Sequence, residues 1–265
     1  MANCLSMLPN LESLSIMLKP LIRLPDQRSR QRSPPLLRAI LPALIYFHFI
    51  GNSEYLEDLV SRIDAPLLVS LNLQFFDQPI IGIPQLSHFF SRTENLGLLT
   101  RAFLNFNCQP CIFFRPTGDE MIGYRHSIWL SWCELTNQQL SFMVQICNQL
   151  SPILFKLKAF SIYANSGEQW LQDGTDPAEW LGLFRPFTAV ETLYVSKDLG
   201  PHVAPALEDL SRDPAMAVLP ELRQVQFESS QEISVNQFVT ARELSGFGHP
   251  LTMEYDKNFI WFEVI

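Results

Sequence analysis

Glycine, charge and cysteine are all scarce in this 265-residue chain, and each scarcity disfavours a class of function. Eleven Gly against 19 Pro leaves few residues able to take the positive φ of phosphate loops and tight hairpins, whereas Pro marks where elements start and stop. Nucleotide-binding folds are therefore disfavoured. Charged residues make up only 17% of the chain and hydrophobic residues 47%, the opposite of a disordered composition. The charge that is present is unbalanced: 27 Asp and Glu against 19 Lys and Arg give a net −8. Such a surface repels phosphate backbones and anionic lipid, so neither nucleic acid nor membrane is the expected partner.

Long apolar runs are missing too. None reaches the roughly 18 residues of a membrane span; the longest, Ala39 to Ile50, is broken by Pro42 and His48 and reads as a buried strand with its approach. Residues 1–20 scatter Asn3, Pro9, Asn10 and Glu12 among their apolar positions, unlike the apolar core of a signal peptide. Five Cys, at 4, 108, 111, 133 and 147, form an odd and sparse set. Reduced thiols in cytoplasm or nucleus, without disulfides, are the expectation.

What the chain does have is an internal repeat, L-P-x-L-x-x-L-x-L, in which L stands for any large apolar residue. It occurs as Leu8-Pro9, Leu11, Leu14, Ile16; as Leu41-Pro42, Leu44, Phe47, Phe49; and as Ala65-Pro66, Leu68, Leu71, Leu73. Later copies are Leu154, Leu157, Phe160, Ile162; Phe187, Val190, Leu193, Val195; and Leu219-Pro220, Leu222, Val225, Phe227. Degraded copies keep only their ends, at Leu104 and Phe106, Leu130 and Trp132, and Met253 and Tyr255. Starts fall at 8, 41, 65, 98, 124, 154, 187, 219 and 247, a mean spacing of about 30 residues.

The last two pattern positions, two residues apart, point the same way from a short strand, and Pro sits where the chain turns into it. Helical periodicity follows most strands: Glu54–Ile63 with Ser53 as N-cap, Thr136–Leu150, and shorter stretches at 85–92, 177–184, 202–212 and 236–245. The expected fold is α/β: a leucine-rich-repeat-like solenoid, with a parallel β-sheet on one face and helices on the other, forming a single domain over 1–265. Residues 98–132 depart from the scheme. Leu99–Asn107, Cys111–Arg115 and Ser127–Trp132 read as three strands of an irregular β-rich insertion or hairpin.

The run Leu41-Pro42-Ala43-Leu44, Gly51-Asn52-Ser53-Glu54-Tyr55-Leu56-Glu57-Asp58-Leu59-Val60, Arg62-Ile63-Asp64-Ala65-Pro66-Leu67 resembles the repeat region of fungal F-box-like leucine-rich-repeat proteins. A second block is similar: Trp180-Leu181, Pro186 to Val190, Leu193 to Ser196, Ala204 to Leu207, Leu219-Pro220, and Phe238-Val239 to Leu244-Ser245. In such a family an N-terminal F-box docks on the Skp-type adaptor of a cullin ubiquitin ligase while the repeats present the substrate. No F-box is visible here and the chain opens in a repeat at Leu8-Pro9, so an N-terminal truncation is expected, and a Skp-type adaptor is a partner only if an F-box lies upstream.

Candidate sites are few. Cys108 and Cys111 have the spacing of half a zinc site, with Cys133 and His126 as remote completions, but no second pair follows. None of His48, His88, His126, His202 and His249 belongs to a nucleophile motif. Glu54, Glu57 and Asp58 read as a solvated helix face, and the Arg-rich, Pro-rich stretch from Arg23 to Arg38 as an exposed loop rather than a targeting segment. The expected working surface is the outward strand row. His48, Asn72, Tyr194 and Gln226 occupy its eighth pattern position, with Tyr46, Gln74 and Tyr163 beside them. The reading is a non-catalytic protein-interaction scaffold with no cofactor and an unidentified protein as partner, in cytoplasm or nucleus. An enzyme or metal-binding protein using Cys108 and Cys111, or a fragment without independent function, are the alternatives.

Overall fold

The computed structural model describes residues 5, 7–18, 38–76, 82–107, 109–116, 127–132, 139–164, 176–212, 218–228 and 252–255. In chain order the elements are β1 (Ser13–Met17), β2 (Ala39–Ile40), β3 (Tyr46–Gly51), α1 (Ser53–Ser61), β4 (Ile63–Asp64), β5 (Ser70–Phe75), α2 (Pro84–Arg92) and a 3-10 turn (Glu94–Leu98). There follow β6 (Arg101–Asn105), β7 (Cys111–Arg115), β8 (Ser127–Trp132), α3 (Gln139–Gln149), α4 (Ser151–Leu154), β9 (Ala159–Tyr163), α5 (Pro177–Phe184), β10 (Thr192–Val195), α6 (Gly200–Arg212), β11 (Gln224–Phe227) and β12 (Thr252–Tyr255). They divide into two compact units, Met1–Leu99 with Cys111–Glu134, and Thr100–Pro110 with Leu135–Ile265.

Both units are mixed α/β with mostly parallel sheets. In the first, β1, β3, β5 and β8 run parallel in that order and β7 closes antiparallel on β8. In the second, β6, β9, β10, β11 and β12 are parallel throughout. A separate parallel pair, β2 with β4, lies in the first unit. The three strands expected at 98–132 all form, yet β8 and β6 extend the parallel sheets instead of standing apart, and only β7 breaks direction.

The repeat has a concrete local cause. In every clear copy the N–H of the fourth pattern residue donates to the carbonyl of the first: Leu11 to Leu8 (3.2 Å), Leu44 to Leu41 (3.3 Å), Leu68 to Ala65 (3.2 Å), Leu157 to Leu154 (3.1 Å), Val190 to Phe187 (3.4 Å) and Leu222 to Leu219 (3.1 Å). This is a β-turn, and Pro9, Pro42, Pro66 and Pro220 hold its second place, where their fixed φ is already suitable and no N–H is needed. In four copies the residue after the turn then offers one carbonyl to two consecutive N–H groups where the next strand begins. Glu12 accepts from Ile45 and Tyr46, Ile45 from Val69 and Ser70, Lys158 from Glu191 and Thr192, and Glu191 from Arg223 and Gln224.

Past the turn the strands alternate. Phe47 and Phe49, Leu71 and Leu73, Phe160 and Ile162, Leu193 and Val195, and Val225 and Phe227 are all at most 1% exposed, as are the first-position residues Leu41, Leu154, Phe187 and Leu219. The core is aromatic: Phe160 stacks on Phe187 at 4.0 Å between ring centroids, Phe75 on Trp132 at 5.7 Å, and Trp180 meets Phe106 edge-on at 5.8 Å. Gly182 lets α5 lie close to α3, since a Cβ there would stand 3.3 Å from Val144.

The helices form where periodicity places them, with two corrections. The N-cap of α1 is Asn52, in extended conformation, and Ser53 lies inside the helix. Glu57, read from the sequence as part of a solvated face, is instead half-buried and accepts from the backbone N–H groups of Gln85 (2.7 Å) and Leu86 (2.8 Å). It thus caps α2, whose own N-cap residue, Ile83, has no side-chain acceptor. Arg92, at the other end of α2, returns the favour by donating to the carbonyls of Val60 and Ile63 near the end of α1 and to Asp64 at 2.6 Å. The stretch 236–245 and most of Arg23 to Arg38 lie outside the described residues; Arg38 itself donates to the Ser61 carbonyl at 3.2 Å.

Burial pushes the Glu57 carboxyl above its ordinary value, and the two N–H bonds only partly oppose that. A carboxyl raised on folding stabilises most when protonated, so this contribution is complete below pH 4.5 and is lost as pH rises through the folded value. In urea unfolding, the stability of wild type relative to Glu57→Gln should fall as pH is raised from 4 toward neutrality, and a difference that grows would show the hydrogen bonds outweighing burial. Glu57→Ala strands two N–H groups and should cost about 1–3 kcal/mol.

Candidate functional site

On the outward rows of the two sheets side chains of neighbouring strands stand in register, most of them exposed or half-buried, while Cys111, Phe113, Ser127, Ser131 and Ser161 are buried. In the first unit the row runs Ser15, His48, Asn72, Trp129, with Phe113 of β7 opposite Trp129. Tyr46 pairs with Ser13 and Ser70, and Gln74 with Ile50 and Ser131. Tyr46 is 43% exposed, Ser15 and Asn72 are exposed, and His48, Gln74 and Trp129 are half-buried. All four residues expected here, Tyr46, His48, Asn72 and Gln74, therefore share one face of this unit.

In the second unit Tyr194 and Gln226 are cross-strand partners, and Tyr163 follows two residues after Ser161, the partner of Tyr194 on β9. All three are half-buried. Ser161 sits between Phe103 and Tyr194 in register and is itself buried, a small residue between two rings.

Phe103 and Trp129 are the residues that pattern reading missed. The degraded copies were aligned on Leu104 with Phe106 and on Leu130 with Trp132, but the ladders pair Leu104 with Ile162 and Ala102 with Phe160, and Leu130 with Leu73 and Ile128 with Leu71. The true inward pairs lie two residues earlier, which puts Phe103 and Trp129 at the outward position. Ala102 is too small to announce itself as a core position, although it is fully buried. At β12 the alignment holds, Met253 and Tyr255 pairing with Val225 and Phe227.

Aromatic and hydrogen-bonding groups dominate the first unit's face. The Phe113 and Trp129 rings lie 5.4 Å apart, and the Arg115 guanidinium stands 4.4 Å from the Phe113 centroid, a cation–π distance. Ser15 Oγ and His48 Nδ1 are 3.3 Å apart. Activating a serine needs a third group to orient the imidazole, and the described strands of this face carry no carboxylate. The described carboxylates of this unit lie elsewhere: Asp58 of α1 pairs with Arg62 at 2.7 Å, and Asp64 with Arg92 beyond it.

The cysteine reading finds little geometry to stand on. Cys108, Cys133 and His126 lie outside the described residues, and among the described residues no three His, Cys, Asp or Glu side chains are grouped to hold a metal. Cys111 is buried in β7, which pushes its thiol up to about 12, and Cys147, wholly buried in α3, is pushed up by the same cause. Of the histidines, His88 is exposed on α2, and burial pulls His202, half-buried in α6, below its ordinary value. Among the described residues no helix is long and apolar enough to cross a membrane.

Neither a family model, nor a curated protein, nor a solved structure matches the chain.

A thiol held near 12 is almost wholly protonated at pH 8 and is a poor nucleophile. Titration with a disulfide reagent at pH 8 should leave Cys111 and Cys147 unmodified until denaturant is added, with peptide mapping assigning each thiol. Rapid modification of Cys111 in the folded protein would restore the reactive-cysteine reading.

Proposed function

We propose that the chain is a leucine-rich-repeat-like solenoid, one domain over residues 1–265, that binds another protein through its outward strand rows and carries out no chemistry of its own. The observation that supports this best is that along β3, β5, β10 and β11 one face of the sheet is buried and the other only partly. Parallel sheets of doubly wound folds are covered on both faces and read as continuous apolar runs; here Tyr46, His48, Asn72, Tyr194 and Gln226 alternate with buried Phe, Leu and Val. The turn, recurring in all six clear copies, and the shared carbonyl, recurring in four, also favour stacked units over a closed globule.

A face of aromatic and amide side chains, poor in charge, has the composition of an interface core. The resemblance to fungal F-box-like repeat proteins supports a narrower reading, in which the face presents the substrate of a cullin-type ubiquitin ligase and a Skp-type adaptor is engaged through an upstream F-box. Membrane and nucleic acid are not partners in this reading, which places the protein in cytoplasm or nucleus.

Replacing Tyr46, Tyr163 and Tyr194 together by Ala should weaken capture of a specific partner from native lysate at least tenfold, about 1.4 kcal/mol, with the unfolding midpoint little changed. Equal capture by the folded triple variant would remove the outward strand rows of both units as binding sites; no partner above background for wild type would remove the function.

A further inference from the structure

Among the described residues β1 is the outermost strand of the first unit's sheet, and its ladder is with β3. Its inward pair is less well buried than those of the next two copies. Leu14 and Ile16 are half-buried, whereas Phe47 and Phe49 are 1% exposed and Leu71 and Leu73 are wholly buried. Ser13 and Ser15 are exposed, and Met17 is 70% exposed. Edge strands are commonly protected by a charge or a Pro, and Ser13-Leu14-Ser15-Ile16-Met17 has neither. The backbone of β1 has a phase of its own. The Glu12 carbonyl accepts from Tyr46, and the Leu18 N–H donates to the Ile50 carbonyl at 2.8 Å. Residues that bond across a parallel ladder alternate, so Leu14 and Ile16 turn their N–H and C=O groups toward β3, and those of Ser13, Ser15 and Met17 point out from the edge.

From this we infer that the edge of β1 takes β1 of a second copy of the chain, antiparallel about a two-fold axis at Ser15. The strand is complementary to itself in that register, as an isologous contact requires. Ser15 lies opposite Ser15 and Ser13 opposite Met17, and each pair exchanges both N–H···O bonds through groups that already face the edge. Leu14 then falls opposite Ile16 of the second copy, at the closer spacing of a non-hydrogen-bonded pair and on the inward face. The contact therefore covers the two side chains that a single copy leaves half-buried. Glu12 stands opposite Leu18 and meets no like charge. Two five-residue strands bury less than the roughly 800 Å² per partner of a stable interface, so the dimer forms and dissociates with concentration.

The experiment is sedimentation equilibrium of the intact chain over a range of concentrations, in which wild type is expected to pass from monomer to dimer. Ser15→Lys sets two ammonium groups opposite each other at the axis, on an exposed position, and should weaken association at least tenfold with the unfolding midpoint little changed. Asn72→Lys adds the same charge at an exposed position of the same row, two strands in from the edge, and should leave association unaltered. Ser15→Cys reads the register directly. Hydrogen-bonded partners stand about 5.5 Å apart between Cα atoms, within the reach of a disulfide, so mild oxidation with diamide should join two copies through the introduced thiols, as peptide mapping would show. Ser13→Cys, opposite Met17, should not join to itself. A chain that stays monomeric at its highest soluble concentration overturns the inference. So does a dimer indifferent to Ser15→Lys, or one in which Ser13→Cys cross-links as readily as Ser15→Cys.

Discussion

One carbonyl, present in four of the six clear copies, carries the geometry of these sheets. It belongs to the residue between the turn and the strand, and it accepts two N–H groups from the copy that follows. Two donors from consecutive residues meeting one acceptor fix where the next strand begins to within a residue, and in a sheet a slip of one residue would turn every inward side chain outward. Phe47 over Leu71, and Leu193 over Val225, are consequences of that offset. The turn before it serves the same end: Pro at its second place in four copies narrows the unfolded chain's options, and the fourth residue, Leu44, Leu68, Leu157, Val190 or Leu222, is buried in the core where the hydrogen bond closes.

This explains how much of the fold was legible beforehand. Where turn, shared carbonyl and two large inward residues coincide, a nine-residue pattern carries all the information, and β3, β5, β9, β10 and β11 fall where it places them. Where Ala102 replaces a large residue the pattern still works physically, because the neighbouring Phe160 supplies the bulk, but it no longer stands out from composition. The alignment then slid by one strand period, preserving which face is buried while misnaming the outward residue. Glu57 was misread for a related reason. Its spacing on α1 says that it faces away from the strands, but only the position of α2 decides whether that direction holds water or two N–H groups.

The outward face was legible as a face and not as a site. Alternation alone marks Tyr46, His48, Asn72, Tyr194 and Gln226, since any residue between two core positions of a one-sided sheet must point away from it. What alternation does not carry is which rows adjoin, and so the meeting of Phe113, Arg115 and Trp129, contributed by an antiparallel strand and a degraded copy, had no sequence signature. The segregation of the first unit's described carboxylates away from its outward strand row is likewise invisible until strands are in register, although every residue involved is plain in the chain.

The exchange between α1 and α2 has a consequence for how the first unit comes apart. Each helix holds groups that the other needs: Glu57 of α1 satisfies the start of α2, and Arg92 of α2 satisfies the end of α1. Neither is long enough to persist alone in water, nine residues being below the length at which isolated helices survive. If either frays, the other is left with backbone groups facing no partner. The pair therefore opens as a single foldon, and its amide protons share one protection level instead of grading from one helix to the next.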